Sequence, residues 1–575
     1  MIHAHDCHSL LMIDRFKSKS TANKASIVRD NLIPFLQKYN SNPPKIGIRP
    51  EDLDRRANIL DKWWTGLLEL VRGTLSSSMS GTDRLVILEG IVGIMERPEW
   101  RIHPSESYPI SDRPSPPYNR RRRSASTCSS TGSDFLRDSV LHNTHNTFVR
   151  NIISQLAFSV EKMSLKTVPA SVVAFSGKTL AYAFFFCAGV ARILVWLWKI
   201  PKPTISRIML SRRAGGLDEG TEGTIHESML ANFPFLSHDL GSKSTLLTGR
   251  NFQKPVVPIE ISHIPWFGTW SERWSGKESD LFYVFVKYYH ILLTGCFSAK
   301  HSRLERTCAP GLIYVQSQML VNLDATLHRH AHFQSSNMSL HPYTSFDEVL
   351  AETDVNVSAL SFLPSNSVRQ VAENRLILLL REFLSEDRPD RAISRLCFAE
   401  GFSDVLRAAA SKVSAYDQSA CSILCDFLEE AILILSRYEK LTKMNGEIVD
   451  WPFWHKACKQ MLRSHNTATE TRLYSFLYTI WGFISRDHKL KADFCFTFLL
   501  DAEFFLGRFN HWCPMVRAYY MRLLCWRITR FGLEDDQNTH RYIVIASPNL
   551  PRELIGADRY LLRSYRGLKW CGTTS

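Results

Sequence analysis

The sequence has no disulfide framework, no complete catalytic motif and no apolar run of twenty residues free of charge. Each absence narrows the function. Thirteen cysteines are an odd number at irregular spacing, which excludes the paired cysteines of a small secreted scaffold. The first residues (MIHAHDCHSLLMIDRFKSK) lack a basic stretch followed by a long apolar one. A secretory leader is therefore not expected, and a reducing, intracellular setting is. Basic motifs interleaved with aromatics are also missing, so nucleic acid is not an expected partner. The formal charge of +14 suits contact with anionic lipid instead.

Every fragment that resembles a reactive site lacks a necessary part. Gly241-Ser242-Lys243-Ser244 carries the Lys-Ser of a phosphate loop without the earlier glycine or a leading strand. His3-Ala4-His5-Asp6 has the histidine spacing of metal hydrolases, but no strand precedes it. His328, His330 and His332 alternate, yet they scatter around a helix if Leu320 to Arg329 is one. Cys421 and Cys425 stand four residues apart on an apolar stripe, where core packing explains them better than a metal. No catalytic residue, cofactor or metal is therefore expected, and the chain reads as non-enzymatic. The enzymatic alternative is a site in residues 224–335 assembled from His263, His290, Glu272 or Asp280.

What the sequence does contain is a prominent apolar segment, Thr179 to Trp198 (TLAYAFFFCAGVARILVWLW). Twenty residues at ~1.5 Å rise span ~30 Å, the thickness of a bilayer's hydrocarbon core. Thr179, Leu180, Phe184, Phe185 and Phe186 form its apolar body, and Trp196 and Trp198 stand where interfacial aromatics would. Arg192 argues against a span, although it could snorkel ~9 Å toward that interface. The segment is thus either membrane-embedded, by one pass or peripherally, or a core helix of a large α-helical protein in the cytoplasm.

Around it the chain divides into regions. Residues 1–101 hold a helical pair: Pro50, Glu51 and Asp52 suit a first turn, and Leu53, Ala57, Leu60, Trp64, Leu67 and Val71 mark one face. Leu85, Leu88, Val92 and Met95 mark the second helix. Residues 102–134 are rich in Pro, Ser and Arg, too poor in apolar surface to offset the entropy of ordering, and read as a disordered linker. Arg120 to Arg123 precede Ser124 and Ser126, which makes these serines phosphorylation candidates. Residues 135–214 contain a helix and the apolar segment, 179–198. Residues 215–335 are aromatic-rich, with Leu281 to Leu293 expected to be helical from its length and lack of alternation.

Residues 336–575 form a helical, repeat-like region. Ser367 to Gln370 fits a capping box, and Val368, Ala372, Leu376, Leu379, Leu380 and Phe383 form a stripe. Further stripes run through Leu406, Ala409, Ala410 and Val413, then Cys421, Leu424, Cys425, Leu428, Ile432 and Leu435. Leu473, Phe476, Leu477, Ile480 and Ile484 follow, and lastly Val516, Tyr520 and Leu523. The expected fold is mainly α: an irregular helical bundle or an armadillo/HEAT-like α-solenoid, with one long apolar helix and a disordered linker.

Four stretches resemble a known family. They are Lys202-Pro203-Thr204-Ile205-Ser206-Arg207, Asn232-Phe233-Pro234-Phe235-Leu236, His263-Ile264-Pro265-Trp266-Phe267-Gly268-Thr269-Trp270 and Gln318-Met319-Leu320-Val321-Asn322-Leu323-Asp324. The chain is similar in them to the largely fungal family catalogued as domain of unknown function 1765, over about residues 150–540. The resemblance implies association with a membrane, because members carry an uncharacterised-membrane-protein label, and it implies no reaction. The resulting expectation is a membrane-associated helical scaffold or adaptor with membrane lipid and an unidentified protein as partners. The alternative is a soluble scaffold with the apolar segment buried.

Overall fold

The computed structural model describes residues 20–40, 49–73, 80–101, 131–214, 240, 254–293, 297, 301–328, 371–386, 388–442 and 448–528. Among the described residues the regular elements are helices and no strand is present. The linker stretch with Ser124 and Ser126, the capping box at Ser367, the phosphate-loop fragment, and His3, His5, His330 and His332 lie outside the described residues. The chain divides into two compact units, Met1–Asn322 with Asp387–Gly401, and Leu323–Glu386 with Phe402–Ser575.

In the first unit the expected helical pair is present as Pro50–Arg72 and Gly81–Met95. Pro50 opens the first helix where its missing N–H costs no bond, and Glu51 and Asp52 occupy the first turn, facing the positive end of the dipole. The face from Leu53 to Val71 is buried as expected. In the second helix Leu88, Val92 and Met95 are buried as expected, joined by Ile87, Ile91 and Ile94, while Leu85 is exposed.

The centre of this unit is the helix Ala170–Phe186, which packs against Gly81–Met95, Thr131–Met163 and Leu281–Leu293. Neighbours on several sides leave it only a narrow, half-buried edge at Ser171, Ala174 and Lys178, which explains why it lacks the amphipathic pattern of a surface helix. Contact with Leu281–Leu293 depends on Gly177, where a Cβ would stand 2.7 Å from Val284 and 3.0 Å from the Leu281 carbonyl oxygen. Only a residue without a side chain permits that approach. Leu281–Leu293 is the helix its length implied.

The second unit is a succession of amphipathic helices. Arg375–Ser385 packs on Gln418–Thr442, Gln418–Thr442 on Thr467–Ile484, and Thr467–Ile484 on Pro514–Leu523. Asn374 caps the first of these by accepting from the Leu376 N–H. The stripes from Cys421 to Leu435, from Leu473 to Ile484 and at Val516, Tyr520 and Leu523 are buried. Charge is buried with them. The Arg407 guanidinium donates to Asp404 at 2.6 Å and to Asp450 at 2.5 Å, and Arg472 reaches Asp426 and Glu429.

Candidate functional site

The expected single apolar helix is corrected by the structure. Residues 179–198 fold as the end of Ala170–Phe186 and a separate short helix, Val190–Leu197, divided at Cys187 to Gly189. Gly189 adopts φ +78, a left-handed conformation that stops one helix and starts the next at little cost only for glycine. Pro258 then packs into the space a side chain there would fill, 2.6 Å from the Cβ position. Among the described residues no helix is long and apolar enough to cross a membrane.

Most of the predicted membrane segment is packed against protein. Thr179 and Leu180 are buried. The Thr179 hydroxyl donates to the Phe175 carbonyl and accepts from Gln155 Nε2 at 2.7 Å, while Gln155 Oε1 accepts from Trp64 Nε1 at 2.8 Å. This buried chain ties the segment to two other helices and leaves no lone polar group among those atoms. Phe184 meets Phe285 and Tyr289 edge-on, Phe185 lies against Tyr289, and Phe186 against Phe148. Arg192 is half-buried. Trp198, expected at a lipid interface, is instead buried and stacked on Trp274, with ring centroids 5.0 Å apart.

Trp274 belongs to a layer of buried indoles. Trp270–Trp274 is a short helix, and Trp266, Trp270 and Trp274 recur every four residues with all three rings buried. Each indole N–H has a backbone acceptor. Trp266 donates to Ile261 O, Trp270 to Trp266 O and Trp274 to Leu194 O, at 2.9–3.1 Å. The recurrence at 266, 270 and 274 is the signal that could have revealed the helical turn.

In front of this layer runs the loop from Lys254 to Gly268. Pro255, Ile261, Ile264 and Trp266 point inward, while Val256 and Ile259 are 90% and 88% exposed and Phe267 is half exposed. Lys254 Nζ lies 4.3 Å from the Phe267 ring centroid, and half-buried Trp196 meets the same ring edge-on at 5.6 Å. An open cavity of about 340 Å³ lies between Val257, Ser262, Pro265 and Phe267. The turn Ser164 to Thr167 is fixed to this region by Arg273, which donates to the Met163 and Lys166 carbonyls. That turn carries Leu165, 51% exposed.

The residues of the enzymatic alternative do not share one environment. His290 is buried, its Nδ1 2.8 Å from the Val286 carbonyl oxygen and its ring against Tyr289 and Phe398. Burial pushes its pKa down to about 4. His263, Glu272 and Asp280 are exposed. Cys421 and Cys425 are buried on their helix, and burial pushes the thiols up to about 11 and about 12. They remain protonated at neutral pH and behave as small apolar groups. His328 is half-buried, its Nδ1 3.8 Å from Asp417.

Residues 402–528 match the model of the family described as Protein of unknown function (DUF1765). The chain is also 21% identical over 541 residues to a UPF0592 membrane protein of Schizosaccharomyces pombe, an alignment covering 92% of this chain and 52% of the relative. The chain thus spans about half the length of the curated relative it matches. No solved structure matches. The matched helices lie C-terminal to the four stretches that carried the resemblance, which fall within the region expected to extend to about residue 540. The resemblance to the DUF1765 family is borne out, by the family model over residues 402–528 and by a fungal relative over nearly the whole chain.

Proposed function

We propose that the chain is a non-enzymatic helical scaffold that attaches to a membrane from outside the bilayer and presents its C-terminal helices to a protein partner. One observation carries this reading. The apolar segment is broken at Gly189 and consumed by protein packing, so membrane contact falls to surface residues. The membrane side is supported by the relative's name and by the excess of basic over acidic residues, 70 against 56. The partner side is supported by Leu506, Phe509, Trp512 and Met515, exposed large apolar side chains closely spaced within the family-matched region. Trp512 is 73% exposed, and exposed aromatics of this kind are enriched at protein interfaces. The succession of helix pairs in the second unit supports an armadillo/HEAT-like solenoid as its architecture.

Fractionation tests the reading. The chain is expected to sediment with membranes and to be released by alkaline carbonate. Retention after carbonate would mean a bilayer-spanning segment. Recovery in the soluble fraction before any extraction would favour the alternative, a soluble scaffold with the segment buried.

A further inference from the structure

The loop Lys254 to Gly268 combines two properties that ordinary surface loops keep apart. Its backbone is fixed, yet it exposes several large apolar side chains. Pro258 is seated against Gly189, Trp266 Nε1 bonds back to Ile261 O, and Ile261 and Ile264 are buried. Between these anchors Val256, Ile259 and Phe267 stand out, and Leu165 joins them from the adjoining turn. Single exposed apolar residues need no explanation, but several on a rigid frame mark an interaction surface.

We infer that this surface docks on an anionic lipid membrane, with Val256, Ile259 and Phe267 entering the headgroup region. The inference rests on the membrane reading proposed above and names the surface responsible. The side chains project as separate tips. Such tips suit a fluid interface, into which apolar groups sink ~5–10 Å. Lys254 over the Phe267 face can extend its ammonium to lipid phosphate while its methylenes stay with the ring. The surrounding charge has the matching sign. Lys162, Lys166, Lys254 and Arg273 lie in the two loops and their flanks. Glu161, Glu260 and Glu272 oppose them, leaving four cations against three carboxylates, an excess of one. Trp196, packed on Phe267, is the amphipathic aromatic expected at the depth of the headgroups.

The test is flotation of the purified full chain with vesicles of phosphatidylcholine alone and of phosphatidylcholine with phosphatidylserine. Wild-type protein is expected to float with the anionic vesicles and less with the neutral ones. The double variant V256D/I259D should float at least about tenfold less, because the acids oppose both insertion and the anionic surface. Both side chains are almost wholly exposed, so the variant should keep the wild-type circular dichroism and melting temperature. Lys254→Glu should weaken binding to anionic vesicles only. If wild type floats and the folded double variant floats equally, this surface is wrong while the membrane reading stands. If wild type floats with neither vesicle, the membrane reading itself fails. Self-association of wild type that the double variant abolishes, without vesicle binding, would make the loop an interface between copies and overturn the inference.

Discussion

Two helices hold equivalent places in the two units and are built on opposite terms. Ala170–Phe186 is surrounded by protein, and its ends are set by Pro169 and the turn at Gly189 rather than by charge. Thr467–Ile484 is also central, but it carries Glu470 into the interior at 0% exposure, 3.0 Å from the Arg508 guanidinium, with Tyr474 beside it. One element is held by apolar surface and a few neutral hydrogen bonds, the other by an amphipathic stripe with ion pairs beneath it. A helix buried over most of its surface has the hydropathy of a membrane span, because apolar side chains and lipid tails both exclude water from it. Thr467–Ile484 could never be mistaken for one, because its charges declare a protein neighbour.

The largest expected effect breaks the charged half of this comparison. Arg508→Ala leaves the Glu470 carboxylate buried without its cation and should destabilise the second unit by roughly 3–5 kcal/mol. The apolar double variant R508M/E470L should recover most of that loss, since it removes both charges together. Chemical denaturation of the three proteins decides it, and a loss below about 1 kcal/mol in Arg508→Ala would show that the carboxylate is not dependent on that partner.

A smaller effect sharpens the neutral half. His290 is buried, and burial lowers its pKa from 6.5 to about 4. The unfolded chain therefore binds a proton that the folded one refuses. This contribution leaves stability unchanged above about pH 6.5 and reduces it as the pH falls toward about 4, by roughly 3 kcal/mol at most. Urea melts of wild type and His290→Gln between pH 7 and pH 4 (roughly the two limits) measure it. The variant should show the shallower slope. Equal slopes would remove His290 as the source.

The smallest effect lies at the break in the apolar segment. Gly189→Ala forces a side chain into a φ of +78 and against Pro258, and should cost about 1–2 kcal/mol. It should also raise the proteolytic susceptibility of the Lys254 to Gly268 loop that Pro258 anchors. Unchanged melting temperature and digestion would mean the turn does not hold the loop.

The amphipathic helices of the second unit were legible because their period matches what was found: from Cys421 to Leu435 and from Leu473 to Ile484 the marked residues are the buried ones. Pro50 with Glu51 and Asp52 likewise announced a helix start in local chemistry. The candidate surface was not legible. Pro255, Val256, Val257 and Pro258 give no period, and their division into anchors and exposed tips depends on Gly189 and Trp266, the first of them distant in sequence.

For this protein the sequence by itself determined an all-helical chain in the described regions, the positions of its apolar faces and its family resemblance, because periodicity and capping act within a few residues. Tertiary structure alone decided what surrounds Thr179 to Trp198. Hydropathy reports how strongly a segment avoids water, and the same avoidance is satisfied by lipid or by the neighbouring helices Gly81–Met95, Thr131–Met163 and Leu281–Leu293. The turn at Gly189 and the packing of those helices chose the second.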